Sequence, residues 1–317
     1  MSESQAYHAI TAEEKRSLAM ITLALMVVLL GAVFRYGPYI LAITAIAYGI
    51  SLAVEIIFTR ARKSSLDPSW MVTPLVFVML LPPTAPLWMV GIGAGFGTFF
   101  GKALFGGYGK NLFNPAVVGA LFLTVSFPIF MSTRWFSPVN GWFNPYAGDS
   151  VDAIVSATPL ITHNQGALTA SISELLLGST AGSIGEAFRI GVLIVGLALI
   201  AFKAIDWRFP AAFLGSFFAL SSLGWLISDR VPDPVNSLFV GGVFFAAFFL
   251  VTEPVSAPKH PYSKYLYGFG IALIVYLIRN FAAFPEGVIF AIIIMNAVGT
   301  LFDPMFIKKE RPQEVKA

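Results

Sequence analysis

The sequence predicts an all-α polytopic membrane protein with about ten transmembrane helices. Of its 317 residues, 57% are hydrophobic and only 12% are charged, whereas about a quarter of an ordinary soluble domain is charged. Apolar runs that approach the roughly 20 residues needed to cross a bilayer recur along the whole chain. A single anchor joined to a soluble domain is therefore excluded, and we expect the protein in the cell inner membrane.

Ten apolar runs separated by turn signals give the predicted helices. They cover residues 18–34, 38–58, 71–81, 87–101, 112–131, 186–203, 209–227, 237–252, 265–280 and 286–302. The first run follows Glu13-Glu14-Lys15-Arg16 and has no small-residue cleavage signature after it, which predicts a retained helix rather than a signal peptide. The third and eighth runs are too short to cross about 30 Å of hydrocarbon at 1.5 Å per residue. Both end in proline-rich breaks, at 81–86 and 251–258.

The distribution of basic residues tests this helix count, because short cytoplasmic loops carry an excess of Lys and Arg. Fifteen of the 20 basic residues fall on one predicted side. The other side holds only Arg35, Arg134, Arg189, Arg230 and Arg279. The alternation predicts that both termini are cytoplasmic and that the long segment 132–185 is external.

A faint internal repeat accompanies the paired helix breaks. A shift of 177 positions aligns Gly93 with Gly270 and Lys102 with Arg279. Because each half has five helices, an odd number, a duplicated half inserts upside down, as in transporters built from two inverted repeats. The predicted regions are a first repeat (1–131), an external loop (132–185), a second repeat (186–303) and a cytoplasmic tail (304–317). Chance alignment of apolar sequence is the alternative.

Composition also limits the cofactors. The chain contains no cysteine, so it cannot by itself ligate an iron–sulfur cluster or supply a thiolate. The three histidines, His8, His163 and His260, lie in the N-terminal segment or in predicted loops, which argues against a bis-histidine haem between helices. We predict no metal centre and no nucleic-acid partner.

The glycine-rich stretch 101–115 is the first candidate site. Gly106 and Gly107 let the backbone approach a ligand closely, Lys102 supplies a cation, and Asn111 is predicted to start the next helix, shortly before Asn114. A tight cytoplasmic turn is the alternative reading of the same residues.

Three carboxylates lie within or at the end of apolar runs: Glu55, Glu253 and Asp303. Charge in such positions is costly and is usually kept for pairing, ion passage or protonation. Glu55 and Asp303 lie near predicted cytoplasmic ends, where simple solvation is an equal alternative. Glu253 lies in the second helix break, where freed carbonyl groups and a carboxylate can replace the water shell of a small hard cation.

The external segment contains Asp152-Ala153-Ile154-Val155-Ser156-Ala157-Thr158-Pro159. Taken alone, Thr158 before Pro159 reads as a helix N-cap with proline at the first helical position.

Two of these segments carry a family resemblance. The stretch from Gly101 to Ala116 and the run Thr252-Glu253-Pro254-Val255-Ser256-Ala257-Pro258 resemble signatures of a family of membrane subunits. The family comprises the D-type subunit of RNF-type electron transport complexes and the B-type subunit of sodium-translocating NADH:quinone oxidoreductases. The second signature usually has Asp where this chain has Glu253. The resemblance covers nearly all predicted helices and implies a ten-helix inverted-repeat fold similar to that of urea transporters.

The resemblance also implies a cofactor and partners. In this family FMN is attached through its phosphate to a threonine, with an acidic residue six positions earlier and an alanine immediately before; Asp152, Ala157 and Thr158 match, whereas Ser156 replaces the usual glycine. Some members hold a second, noncovalent flavin such as riboflavin. A partner flavoprotein, an iron–sulfur donor subunit and transported Na⁺ or H⁺ are further expectations.

The sequence therefore predicts a translocase subunit that carries electrons on Thr158-bound FMN and couples them to Na⁺ or H⁺ movement through Glu253, Glu55 and Asp303. The short N-terminal segment before the first helix favours the RNF type. Two alternatives stay open: a solute channel or transporter of the same fold without redox activity, and a structural scaffold subunit.

Overall fold

The computed structural model describes residues 10–132, 159–165, 170–178, 180–228, 231–282, 284 and 286–306. Helices make up 74% of it, and the described residues contain no strand. The first half consists of α1 (Ala12–Tyr36), α2 (Tyr39–Ala61), a 3₁₀ turn (Pro68–Met71), α3 (Val72–Met79), α4 (Leu87–Thr98), a π-helical turn (Phe99–Ala103) and α5 (Pro115–Ser126).

Short elements connect the two halves: α6 (Pro128–Ser132), α7 (Pro159–Asn164), α8 (Ile172–Leu177) and a 3₁₀ turn (Ile184–Glu186). The second half consists of α9 (Arg189–Ala201), α10 (Arg208–Ile227), α11 (Pro234–Phe239), α12 (Val243–Phe245), a π-helical turn (Ala246–Leu250), α13 (Pro261–Phe281) and α14 (Val288–Gly299), followed by α15 (Phe302–Phe306). Each of the ten predicted runs corresponds to a helix or to a broken helical segment.

The predicted start of the first helix was wrong by about two turns. α1 begins at Ala12, because Thr11 and Glu14 form a capping box: the Thr11 hydroxyl accepts the Glu14 N–H at 3.1 Å, and the Glu14 carboxylate accepts the Thr11 N–H at 2.8 Å. The charged residues 13–16 therefore belong to the first helical turn.

The outer surface of the bundle is apolar, as a lipid-facing surface requires. By length and composition α1, α2 and α10 are each able to cross a membrane, and shorter apolar helices accompany them. Large apolar side chains on these helices are exposed, among them Leu23, Leu30, Leu226 and Ile227. An exposed surface of this kind is typical of a membrane protein, and the polytopic prediction is confirmed.

Helix packing follows the same order in both halves. In the first half α2 packs on α4, and α4 packs on α5; in the second, α10 packs on α13, and α13 packs on α14. Contacts between α5 and α14 join the halves. The shared order is what an internal repeat predicts, and the inversion of the second repeat stays a prediction.

Candidate functional site

The two broken segments form the buried centre of the molecule. The third segment runs through a 3₁₀ turn into α3 and stops before Pro82, while the eighth divides into α11, α12 and a π-helical turn. Side chains 75–79 and 243–251 are all buried. The helical parts of both broken segments therefore lie in the core, whereas the second proline-rich break reaches the surface at Pro254.

An inner cavity of 40 Å³ lies between the start of the third segment and the second break, near the face predicted to be cytoplasmic. Its polar lining includes Lys102, Tyr108, Asn111, Asn114, Thr252 and Glu253. The glycine-rich stretch and the 252–258 run are about 140 residues apart in sequence, yet the fold brings them to one cavity. Four predicted site residues are thus neighbours.

The Glu253 carboxylate is held in a tight turn. Its Oε2 accepts the N–H groups of Val255 at 3.2 Å and Ser256 at 2.6 Å, and also the Ser256 hydroxyl at 2.5 Å. The Asn111 side chain adds a further hydrogen bond. Because local donors orient the carboxylate, it presents a fixed oxygen site to the inner cavity.

Lys102 lines the inner cavity, but its ammonium group binds carboxylates. Its Nζ lies 2.5 Å from Glu55 Oε1, 3.1 Å from Asp67 Oδ1 and 2.5 Å from Ser69 Oγ, and its side chain is only 2% exposed. Glu55 is likewise buried rather than solvated. A buried charge of either sign requires such a partner.

Asp67 and Ser69 are functional candidates that the sequence analysis missed. Asp67 accepts the Ser69 N–H at 3.0 Å and caps the 3₁₀ turn, with Pro68 at its first position. The Asp-Pro-Ser pattern is a recognisable helix start, but its pairing with Lys102 depends on a contact 35 residues away in sequence.

The glycine-rich stretch is a turn whose helix cap was predicted at the wrong residue. Asn114, not Asn111, caps α5: its Oδ1 accepts the N–H of Ala116 at 3.1 Å, because Pro115 has no N–H and occupies the first position. Gly106 and Gly107 have positive φ values of 113° and 99°, which glycine adopts without strain. Neither glycine lines the inner cavity.

Asp303 has a capping role. Its two oxygens accept the N–H groups of Lys259 at 2.8 Å and His260 at 2.9 Å, which ties α15 to the start of α13. Burial acts to raise the pKa of Asp303, but these backbone donors outweigh it and lower the pKa below the usual value. Asp303 does not line the inner cavity, and its place on a cation path stays a prediction.

An outer cavity of 260 Å³ lies on the opposite side of the broken segments. Its lining includes Leu80, Leu160, Phe245, Leu250, Glu286 and Phe290. Phe248 and Phe249 from the same π-helical region line the inner cavity instead. One buried turn therefore separates the two cavities.

A buried arginine stands beside the outer cavity. Arg279 Nη2 lies 2.7 Å from Glu286 Oε2, and its guanidinium donates to the carbonyl groups of Ser237 at 3.0 Å and Val240 at 3.2 Å. On α7, His163 Nε2 lies 2.9 Å from Ser237 Oγ. Burial and the nearby Arg279 charge lower the pKa of His163 to about 4, so this histidine is neutral at pH 7.

The predicted flavin attachment segment, with Asp152, Ser156, Ala157 and Thr158, lies outside the described residues. α7 begins at the next residue, Pro159, and Leu160 lines the outer cavity. The segment directly precedes α7 in the sequence.

Comparisons with known proteins agree with the two sequence signatures. The model of the NQR2, RnfD, RnfE family matches residues 2–311. The chain is 33% identical over 305 residues to the D-type subunit of the ion-translocating oxidoreductase complex of Aeromonas salmonicida (strain A449), covering 86% of each chain. It is 35% identical over 300 residues to the protein of the same name from Shewanella amazonensis (strain ATCC BAA-1098 / SB2B), covering 85% of each.

A third relative, the protein of the same name from Alcanivorax borkumensis (strain ATCC 700651 / DSM 11573 / NCIMB 13689 / SK2), is 34% identical over 290 residues and is covered over 84% of its length. The resemblance drawn from the two signatures is confirmed. With matches across nearly the whole chain, this membrane protein belongs to the NQR2, RnfD, RnfE family.

Proposed function

We propose that this protein is the membrane subunit of an ion-translocating electron transport complex, carrying electrons on FMN bound to Thr158 and moving Na⁺ or H⁺ past Glu253. The observation that carries the proposal is the meeting of the two family signatures at one buried cavity with Glu253 in its wall. Its relatives are named as the D-type subunit of an ion-translocating oxidoreductase complex, and this chain is a multi-pass membrane protein.

The inner cavity suits a small cation. A volume of 40 Å³ holds a few water molecules or a partly hydrated ion. Hard cations prefer oxygen ligands, and the Glu253 carboxylate, the Thr252 hydroxyl and the Asn111 amide provide them. We therefore place the cation here during its passage.

The same volume argues against a second flavin in this cavity. Drug-sized ligands occupy pockets of about 300 Å³ or more, several times the 40 Å³ available. The riboflavin or second flavin expected from the resemblance does not fit the inner cavity, and the proposal includes no step through it.

We place the ring system of the proposed flavin in the outer cavity, because α7 directly follows Thr158 in the sequence and its Leu160 lines this cavity. Its volume of 260 Å³ approaches that of a small-ligand pocket, and Leu160, Phe245 and Phe290 give it an apolar wall. FMN bound there supplies one-electron and two-electron redox chemistry. The protein's own contribution is to exclude water with these side chains and to hold the Glu286 carboxylate against Arg279 at the rim.

The proposal requires partner subunits. Because the chain has no cysteine, an iron–sulfur donor has to reside on another subunit. We infer a partner flavoprotein that exchanges electrons with the Thr158 flavin on the predicted external side.

Flavin attachment is tested on protein made with its maturation enzyme present. After denaturing electrophoresis we expect ultraviolet-excited flavin fluorescence in the wild-type band and in Thr162→Ala, a matched control on α7. Thr158→Ala is expected to lose the fluorescence at an unchanged protein level. Fluorescence that persists in Thr158→Ala removes Thr158 from the proposal, and a dark wild-type band favours the solute-channel alternative.

Cation passage is tested separately in vesicles that contain the assembled complex. Glu253→Gln keeps the side-chain volume but removes the charge, so we expect electron transfer to continue while Na⁺ or H⁺ uptake falls at least tenfold. Unchanged uptake in Glu253→Gln would show that the ion takes another route, and would favour a scaffold role for this protein.

A further inference from the structure

A buried amide on α14 connects the two halves of the site. Asn296 is completely buried. Both ends of the amide are satisfied when Nδ2 donates to Tyr267 Oη at 2.5 Å and to Ile292 O at 3.0 Å, and when Oδ1 accepts from Asn114 N at 2.8 Å and Ser256 Oγ at 3.1 Å. One amide thus contacts the cap of α5, the second helix break and α13.

The Ser256 hydroxyl lies between two acceptors. Its Oγ is 2.5 Å from Glu253 Oε2 and 3.1 Å from Asn296 Oδ1. A serine hydroxyl has a single hydrogen to donate, so it can bond to only one of the two at a time. The carboxylate is the better acceptor while it is charged, because charge-assisted hydrogen bonds are roughly twice as strong as neutral ones.

We propose that Asn296 is a positioning residue for Glu253 that acts through the Ser256 hydroxyl. While Glu253 is ionised, Ser256 donates to its carboxylate. When a proton or a bound cation neutralises Glu253, that bond weakens and Ser256 turns to Asn296. This rests on the proposed role of Glu253 and extends it, since Asn296 then makes the neutralised state easier to reach.

In the part of the chain that the structure describes, the other ionisable groups around Glu253 come from different elements. Tyr108, from the loop before α5, and Tyr267, on α13, both interact electrostatically with Glu253. Lys102, from the π-helical turn after α4, lines the same cavity but is bound to Glu55 and Asp67. None of these groups bonds to the Ser256 hydroxyl, so the competition between Glu253 and Asn296 is a local one.

The test measures the protonation of Glu253 in the assembled complex by infrared spectroscopy. The carbonyl band of the protonated carboxyl group is assigned by its loss in Glu253→Gln. Asn296→Leu removes the competing acceptor, so we expect the titration midpoint to move to lower pH by about half to one pH unit, a three- to tenfold fall in proton affinity. Ser256→Ala removes a donor to the carboxylate and is expected to move the midpoint to higher pH.

The double variant Ser256→Ala/Asn296→Leu separates this role from a merely structural one. Without the hydroxyl, Asn296 has nothing to compete for, so the double variant is expected to titrate like Ser256→Ala. Shifts that add, or an unchanged midpoint in Asn296→Leu, would overturn the inference. If Asn296→Leu does not accumulate, Asn296→Ala replaces it in both measurements.

The infrared midpoint does not depend on ion transport. Unchanged uptake in Glu253→Gln therefore refutes the transport role alone, whereas an unchanged midpoint in the Asn296 variants refutes the positioning role alone.

Discussion

Replacing Lys102 by Met is predicted to destabilise the protein severely. The substitution leaves Glu55 and Asp67 buried near each other without the ammonium group that now lies 2.5 Å and 3.1 Å away. Removing one partner of a buried ion pair costs about 3 to 5 kcal/mol. At about 2 to 4 °C per kcal/mol for a large domain, the melting temperature is expected to fall by about 6 to 20 °C.

Thermal unfolding of the detergent-purified protein measures this effect. Lys110→Met is the matched control, because Lys110 is exposed and lies eight residues further along the same glycine-rich stretch. We expect Lys110→Met to change the free energy of unfolding by less than about 0.5 kcal/mol. Lys102→Met/Glu55→Gln should recover part of the loss, since one uncompensated charge is removed. A melting temperature for Lys102→Met equal to that of Lys110→Met would refute the view that this cluster is charged and buried.

Two further predictions concern His163 and the helix packing. Because the folded pKa of His163 is about 4 and an unfolded histidine titrates near 6.5, its contribution to stability is present above pH 6.5 and is lost as the pH falls toward 4. Between pH 7.5 and pH 5.0, the free energy of unfolding of the wild type should fall by roughly 1 to 2 kcal/mol, a figure discounted for partial solvent screening. The fall should be smaller in His163→Asn. Equal falls in the two proteins would contradict a lowered pKa for His163. Gly97→Ala places a Cβ 2.5 Å from Pro115 O and is expected to lower the free energy of unfolding by about 1 to 3 kcal/mol. Gly91→Ala, whose nearest neighbour is Ile46 at 3.6 Å, should be neutral or slightly stabilising, and equal effects of the two would contradict close packing of α4 on α5.

The positions of the helices followed from the sequence because the membrane imposes a simple rule. Each span needs a long apolar run, and prolines at 82–86 and 254–258 interrupt two of them. The helix ends were harder to predict. The Thr11 capping box moved the start of α1 to Ala12, and the π-helical turns at Phe99–Ala103 and Ala246–Leu250 have no signature of their own.

The candidate site was predicted as two separate segments, and its connections were not. Glycine-rich and proline-broken motifs point to Lys102–Asn114 and to Glu253 because they interrupt helices. The partners of those residues could not be predicted from the sequence, because Asp67, Ser69 and Asn296 contact them only through tertiary packing. Asn296 in particular stands alone in the apolar run of α14, and an isolated polar residue there is the one signal that could have drawn attention to it.

The correspondence between Lys102 and Arg279 now has a structural meaning. Lys102 follows α4, and its ammonium group donates to Ser69 in the 3₁₀ turn that starts the third segment. Arg279 lies in the last turn of α13, and its guanidinium donates to the carbonyl groups of Ser237 and Val240 in the eighth segment. A buried cation at the end of the fourth helix of each half thus fixes the start of that half's broken helix. This is the arrangement that duplication of a five-helix unit predicts.

If the second copy is inverted, the loops that follow these two cations lie on opposite sides of the membrane. The natural chain has no cysteine, so single cysteines report on this directly. Lys110→Cys and Ala282→Cys both introduce thiols at exposed positions, in the loop before α5 and the loop before α14. In intact cells a membrane-impermeant thiol reagent should label Ala282→Cys at once and Lys110→Cys only after the membrane is opened. Labelling of both from the same side would show that the two halves are parallel, and the Lys102 and Arg279 clusters would then face one compartment.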